Sequence, residues 1–213
     1  TLSLHDALPI LKNFSREDNL IMINKILCIG DSLTYGYGLA KDKTWANLLG
    51  NCLDIKIINK GINGDTTPSM LNRLYENLIK HKPDITFIMG GTNDLLCGRK
   101  LFNIVDNIEE MILETLSNNS NVVIGIPPII IKEMAEELFM PSQLYDYCFS
   151  SLPNLRTSLI KVCKKHNIEY VDFYNLSLKN IDKNIFIDGI HLNSLGNELM
   201  KDEALRIINN NNF

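Results

Sequence analysis

The chain reads as an α/β protein built on a parallel sheet with helices on both faces, and three observations carry that reading. Five short apolar runs (26–29, 55–59, 85–89, 122–126 and 168–173) are rich in Ile and Val and have the length of buried strands. Between them lie segments whose apolar residues recur at three and four, the spacing of amphipathic helices. Strand and helix alternate along the whole chain with no repeat or low-complexity linker, the pattern of a three-layer α/β/α domain.

The first run, Ile26-Leu27-Cys28-Ile29, passes into Gly30-Asp31-Ser32-Leu33-Thr34. Ser32 therefore stands at the carboxyl end of a strand, the edge of an open parallel sheet where ligands bind. A serine there suits a nucleophile once something removes its proton, and the Asp-Ser pair equally suits an ordinary strand-to-helix cap. Trp45, Leu48, Leu49 and Cys52 form the next helical stripe, and Ile55-Lys56-Ile57-Ile58-Asn59 the second strand. The turn-rich Gly61-Ile62-Asn63-Gly64-Asp65-Thr66 follows. A helix starts at Thr66 or Thr67 with Pro68 in its first turn, runs along Met70, Leu71, Leu74, Leu78 and Ile79, and is stopped by Pro83.

The third strand, 85–89, opens into Gly90-Gly91-Thr92-Asn93-Asp94, and a helix covers 104–116. Strand four, 122–126, ends at Pro127-Pro128. Residues 129–152 mix acidic and aromatic side chains and have no place in the regular alternation, while Leu155, Leu159, Ile160, Val162 and Cys163 mark a helix before strand five. The last helix begins near Ser194 and frays in 209–212. Residues 1–21 lack a period and a Met start, whereas Met22 leads directly into the first strand. The fold reading accordingly treats 1–21 as a non-native or disordered leader and 22–213 as the domain.

Composition narrows the function classes. A chain of 213 residues suits one domain, large enough to bury about 70% of its unfolded surface with no disulfide or metal staple. The net charge of −4, without a basic block, argues against nucleic acid or an anionic membrane as partner. No stretch approaches the roughly 18 apolar residues of a membrane helix, and no basic start with an apolar core marks a secretory signal. The five cysteines include no Cys-x-x-Cys pair, so a reducing cytoplasm is expected, with no metal site and no cofactor.

Candidate chemistry gathers on one rim, because the carboxyl ends of strands one, two and three deliver Gly-Asp-Ser, Asn-Gly-Asp and Gly-Thr-Asn-Asp together. Before the last helix stands Asp188-Gly189-Ile190-His191. In a tight loop that spacing lets Asp188 hold one imidazole nitrogen while the other faces outward, which orients a base and fixes its tautomer. Of the four histidines, His5 lies in the leader and His81 and His166 at helix ends beside Lys, which leaves His191 as the candidate base or as a capping or core residue. Gly64 offers a backbone N–H and Asn93 a side-chain amide to a developing oxyanion, although a positive-φ turn and a cap would use the same residues. Singly each has that structural use; jointly, four such groups on one rim point to catalysis.

These four blocks resemble those of the SGNH hydrolases, also called the GDSL esterase and lipase family, over residues 25–208. The resemblance implies a flavodoxin-like fold and an ester or thioester hydrolase of acylhydrolase, lysophospholipase or thioesterase type. It implies Ser32 as nucleophile, His191 as base, Asp188 as its orienter, and the Ser32 N–H, Gly64 N–H and Asn93 side chain as oxyanion donors. Deacetylation of sugar or other polar acetyl esters is a second reading within that resemblance, and a non-catalytic binding module for a small anion is a reading of another class. Residues 129–152 leave strand four on the Ser32 rim. They are expected either to arch over it, with Phe139 and Met140 walling an acyl pocket, or to pack as an ordinary helix. No G-x-S-x-G elbow, phosphate loop or H-E-x-x-H motif is present.

Overall fold

The computed structural model describes residues 23–210. The leader expected at 1–21 lies outside the described residues. The chain forms β1 (Lys25–Gly30), α1 (Ser32–Tyr35), α2 (Trp45–Leu53), β2 (Lys56–Gly61), α3 (Thr67–His81), β3 (Ile85–Met89), α4 (Thr92–Leu96), α5 (Leu101–Ser117), β4 (Asn121–Ile126), α6 (Lys132–Phe139), α7 (Gln143–His166), β5 (Glu169–Asp172), α8 (Phe173–Lys179) and α9 (Ser194–Asn210). All five strands are parallel, in the order β2-β1-β3-β4-β5.

The central strands β1, β3 and β4 are buried on both faces, as their apolar runs require, and the edge strands β2 and β5 are partly covered. Along β1, Leu27 and Ile29 enter the layer made by α3, α5 and α7, whereas Ile26 and Cys28 enter the layer made by α2 and α9. Trp45, Phe87 and Phe173 pack ring against ring in the second layer, with centroids 4.8 to 6.1 Å apart, and the Trp45 indole N–H donates to the Leu33 carbonyl at 3.0 Å. That bond ties the core directly to the segment that carries Ser32.

The strand order reverses at β1. The chain steps from β1 outward to β2, then returns past β1 to β3, so the loops after β1 and β3 diverge to opposite faces and leave a crevice at the carboxyl edge. The loops bearing Ser32 and Asn93 flank that point.

Three differences from the sequence reading have physical causes. The helix expected from Leu155 begins at Gln143, capped by Ser142 Oγ, which accepts the Leu144 N–H. Cys148, Leu152, Leu155 and Leu159 make one buried stripe across Pro153, and the carbonyl that Pro153 cannot bond belongs to Phe149, whose side chain is exposed. Residues 132–139, expected to be irregular, form α6. Strand five stops at Asp172, whose Oδ1 accepts the Asn175 N–H and starts α8 at Phe173.

Asp31 caps α1 through Oδ1, which accepts the Leu33 N–H at 2.9 Å; its Oδ2 is buried with no hydrogen-bond partner among the described residues. Burial pushes the carboxyl up from 3.8 to about 7, against the opposing pull of the Leu33 N–H and of nearby His191. Unfolded, this group ionises near pH 4; folded, it keeps its proton to near 7, so it weakens the fold as pH rises through that interval. Asp31→Asn retains the cap without the charge. Denaturant unfolding is expected to show the variant gaining on the native protein as pH rises from 4 to 7, and a constant difference would contradict the assignment.

Candidate active site

The site is assembled from the loop before α9 upward. Phe186 and Leu192 form an isolated antiparallel bridge, the Ile187 N–H donates to the His191 carbonyl at 2.8 Å, and the Asn193 N–H to the Ile185 carbonyl at 2.9 Å. The turn closes through Gly189 at φ +86°, where a Cβ would sit 2.4 Å from the Ile131 carbonyl oxygen, so only glycine fits. Within it, Asp188 Oδ1 accepts the backbone N–H groups of Ile190 (3.0 Å) and His191 (2.8 Å).

Asp188 Oδ2 stands 2.7 Å from His191 Nδ1, and His191 Nε2 stands 2.8 Å from Ser32 Oγ. An ionised carboxylate only accepts, so Nδ1 carries the imidazole proton and Nε2 is left to accept from the serine hydroxyl. Burial would raise the Asp188 carboxyl, yet the hydrogen bonds from the His191 ring and from two backbone N–H groups outweigh it and hold the group below its ordinary value. The histidine ring is further packed by Tyr37, whose centroid lies 4.2 Å away at 33°. Ser32, Asp188 and His191 come from positions 159 residues apart in sequence, and the fold brings all three into one hydrogen-bonded line.

The second group meets around the loop after β2. Gly64 takes φ +75° with open space where a side chain would be, and the Asn93 side-chain N–H donates to the Asp65 carbonyl at 2.9 Å. Asn93 thereby lies against Asp65, the residue next to Gly64, and among the described residues its amide has no second acceptor. The Ile62 N–H donates to the Gly30 carbonyl at 3.1 Å, joining this loop to the segment before Ser32. Among the described residues neither the Ser32 nor the Gly64 N–H has a backbone acceptor.

Phe139 and Met140 lie at the surface. Both are exposed, Met140 at 77%, at the end of α6, and neither lines the narrow crevice that Ser32 and His191 share with Tyr37, Leu192 and Met200. Other parts of 129–152 do approach the site: the Ile131 N–H donates to the Gly189 carbonyl at 2.7 Å, Met134 and Ala135 of α6 lie against Gly189, and the Tyr145 side chain of α7 is near enough to Asp188 to feel its charge. The sequence reading missed two residues. Tyr37 had no spacing signal to reveal its stacking. Asp94, adjacent to Asn93, is buried and accepts both the N–H (2.9 Å) and the hydroxyl (2.8 Å) of Thr67, which fixes the start of α3 beside the loop that holds Gly64. Among the described residues no cluster of three or more His, Cys, Asp or Glu is arranged to hold a metal ion.

The curated relatives include an arylesterase of Vibrio mimicus, 39% identical over 112 residues (49% of this chain, 56% of the relative), and esterase TesA of Pseudomonas aeruginosa, 31% identical over 111 residues (48% and 55%). The chain spans about half the length of these relatives. Among solved structures, a lipase/acylhydrolase from Enterococcus faecalis superposes with a TM-score of 0.73 at 27% identity, covering 88% of this chain and 96% of that one. A member of the lipolytic protein G-D-S-L family from Veillonella parvula superposes with a TM-score of 0.74 at 24% identity, covering 87% and 98%. The profile of the GDSL-like lipase/acylhydrolase family matches residues 28–199, and the chain belongs to that family.

Proposed function

We propose that this protein hydrolyses carboxylic esters or thioesters through an acyl-serine intermediate, in a domain comprising residues 22–213. The observation that carries the reading is the unbroken line Asp188–His191–Ser32, with hydrogen bonds of 2.7 and 2.8 Å. A binding module has no use for a base held in a fixed tautomer against a serine hydroxyl. Family membership and the esterase names of the two relatives support the same activity.

In the proposed reaction Ser32 Oγ attacks the acyl carbonyl carbon while its proton passes to His191 Nε2, and Asp188 stabilises the imidazolium. The negative charge on the carbonyl oxygen is met by the Ser32 N–H, the Gly64 N–H and the Asn93 amide. Collapse expels the alcohol or thiol, which takes the proton from His191. Water then attacks the acyl-serine, giving its proton to His191, and the free acid leaves as Ser32 recovers its hydrogen. No step calls for a cofactor. The acyl group rests against the exposed apolar side chains that the site loops carry, Tyr37, Ile62 and Ile187. A small-molecule ester or thioester is the substrate this site fits.

Five free cysteines, three of them buried with thiols pushed up to about 12, support a reducing, cytoplasmic setting. Among the described residues no helix is long and apolar enough to cross a membrane.

Replacing Ser32 or His191 with Ala is expected to abolish hydrolysis of p-nitrophenyl esters while circular dichroism and Tm stay near native values. Asn93→Ala is expected to lower kcat by about 10²–10³ with a smaller change in KM, the signature of a donor used in the transition state. Hydrolysis by the Ser32→Ala protein at a comparable rate would overturn the mechanism.

A further inference from the structure

Arg73 projects from α3 and touches neither Ser32 nor His191, yet its guanidinium joins three pieces of chain that the reaction needs in register. Its Nε and Nη2 both donate to Asp65 Oδ2, at 2.9 and 2.7 Å. Nη1 donates to the Lys60 carbonyl at 2.7 Å, and Nη2 also to the Gly30 carbonyl at 3.0 Å. Gly30 ends β1, two residues before Ser32. Lys60 lies in β2, just before the turn that holds Gly64. Asp65 supplies the carbonyl on which the Asn93 amide rests. One mostly buried side chain, 17% exposed, thus clamps the strand end that leads to the serine to the loop that carries Gly64 and on which the Asn93 amide rests.

The clamp has a physical reason to exist. Gly64 has open space where a side chain would be, so no side chain of its own packs this turn in place. Oxyanion donors act because they are in position before charge develops, and a displacement of about 1 Å costs on the order of 10² in rate. A planar fork that satisfies a carboxylate and two carbonyls together fixes relative positions; a lysine ammonium on a flexible stem does not reproduce it.

We propose that Arg73 is a positioning residue for catalysis: through Asp65 it sets the placement of Gly64 and Asn93 relative to Ser32. The inference rests on the serine-hydrolase reading above. Arg73→Lys is expected to lower kcat for p-nitrophenyl acetate by about tenfold while KM changes less than about twofold. Asp65→Asn, which keeps the backbone carbonyl but weakens the clamp, is expected to move the same parameter in the same direction, and it serves as the readout should Arg73→Lys fail to fold.

The decisive measurement is a double-mutant cycle with Asn93→Ala, run well below the Tm of every variant. Because Arg73 acts through the loop that seats Asn93, Arg73→Lys in the Asn93→Ala background is expected to cost about threefold or less. Equal costs in both backgrounds, an unchanged kcat, or a loss confined to KM would overturn the proposal, since a purely structural role would leave the folded enzyme's kcat intact and show only as a lower Tm. Should Ser32→Ala remain active, the serine-hydrolase reading falls; should it be inactive while the cycle is additive, only the role of Arg73 falls.

Discussion

Every strand of this sheet runs in the same direction, so each strand delivers its following loop to one rim. That constraint explains how residues as distant as Ser32 and His191 become partners. The reversal of strand order at β1 opens the rim between the first and third strands, and side chains from the loops after β1, β2 and β3 converge there. The Asp188–His191 loop reaches the same rim from beyond β5, held by the backbone bonds of 185–193 and by contact with the start of α6. The rest of the molecule, two apolar layers on a sheet whose central strands are buried from both sides, serves to make that rim rigid.

The price of the arrangement is electrostatic: four buried carboxylates, Asp31, Asp65, Asp94 and Asp188, crowd one edge. Each meets its desolvation differently. Asp65 has the Arg73 fork, Asp94 has both donors of Thr67, and Asp188 has the imidazole with two backbone N–H groups. Asp31 has a single N–H and is pushed up to about 7, and burial raises Asp94 as well despite its bonds to Thr67. At Asp188, by contrast, the hydrogen bonds from the imidazole and two backbone N–H groups outweigh burial and hold the carboxyl below its ordinary value. Under the proposed mechanism the ionised one beside His191 is the one that matters to the base.

Strand and helix positions were legible in sequence because parallel strands buried on both faces leave apolar runs with sharp ends, and the helices over them keep one apolar stripe. The Asp-x-x-His spacing was legible because a tight turn makes it meaningful locally. What sequence did not reveal depended on tertiary neighbours. The Tyr37 stack on His191, the Asp94 bond to Thr67 and the Arg73 fork pair residues through space, without any periodicity to mark them. The span 129–152 misled for a different reason: the buried stripe through Cys148 and Leu152 continues across Pro153, so its helical period is visible only when the flanking residues are read together.

The central claim, that Ser32 becomes covalently acylated with His191 as its base, has a direct test. The native protein is incubated with an organophosphonate ester and examined by intact and peptide mass spectrometry. The account predicts one adduct per chain, on the peptide containing Ser32, formed far more slowly when His191 is replaced by Ala. Absence of any adduct in folded, ester-hydrolysing protein, or an adduct on another residue with activity lost in step, would contradict it.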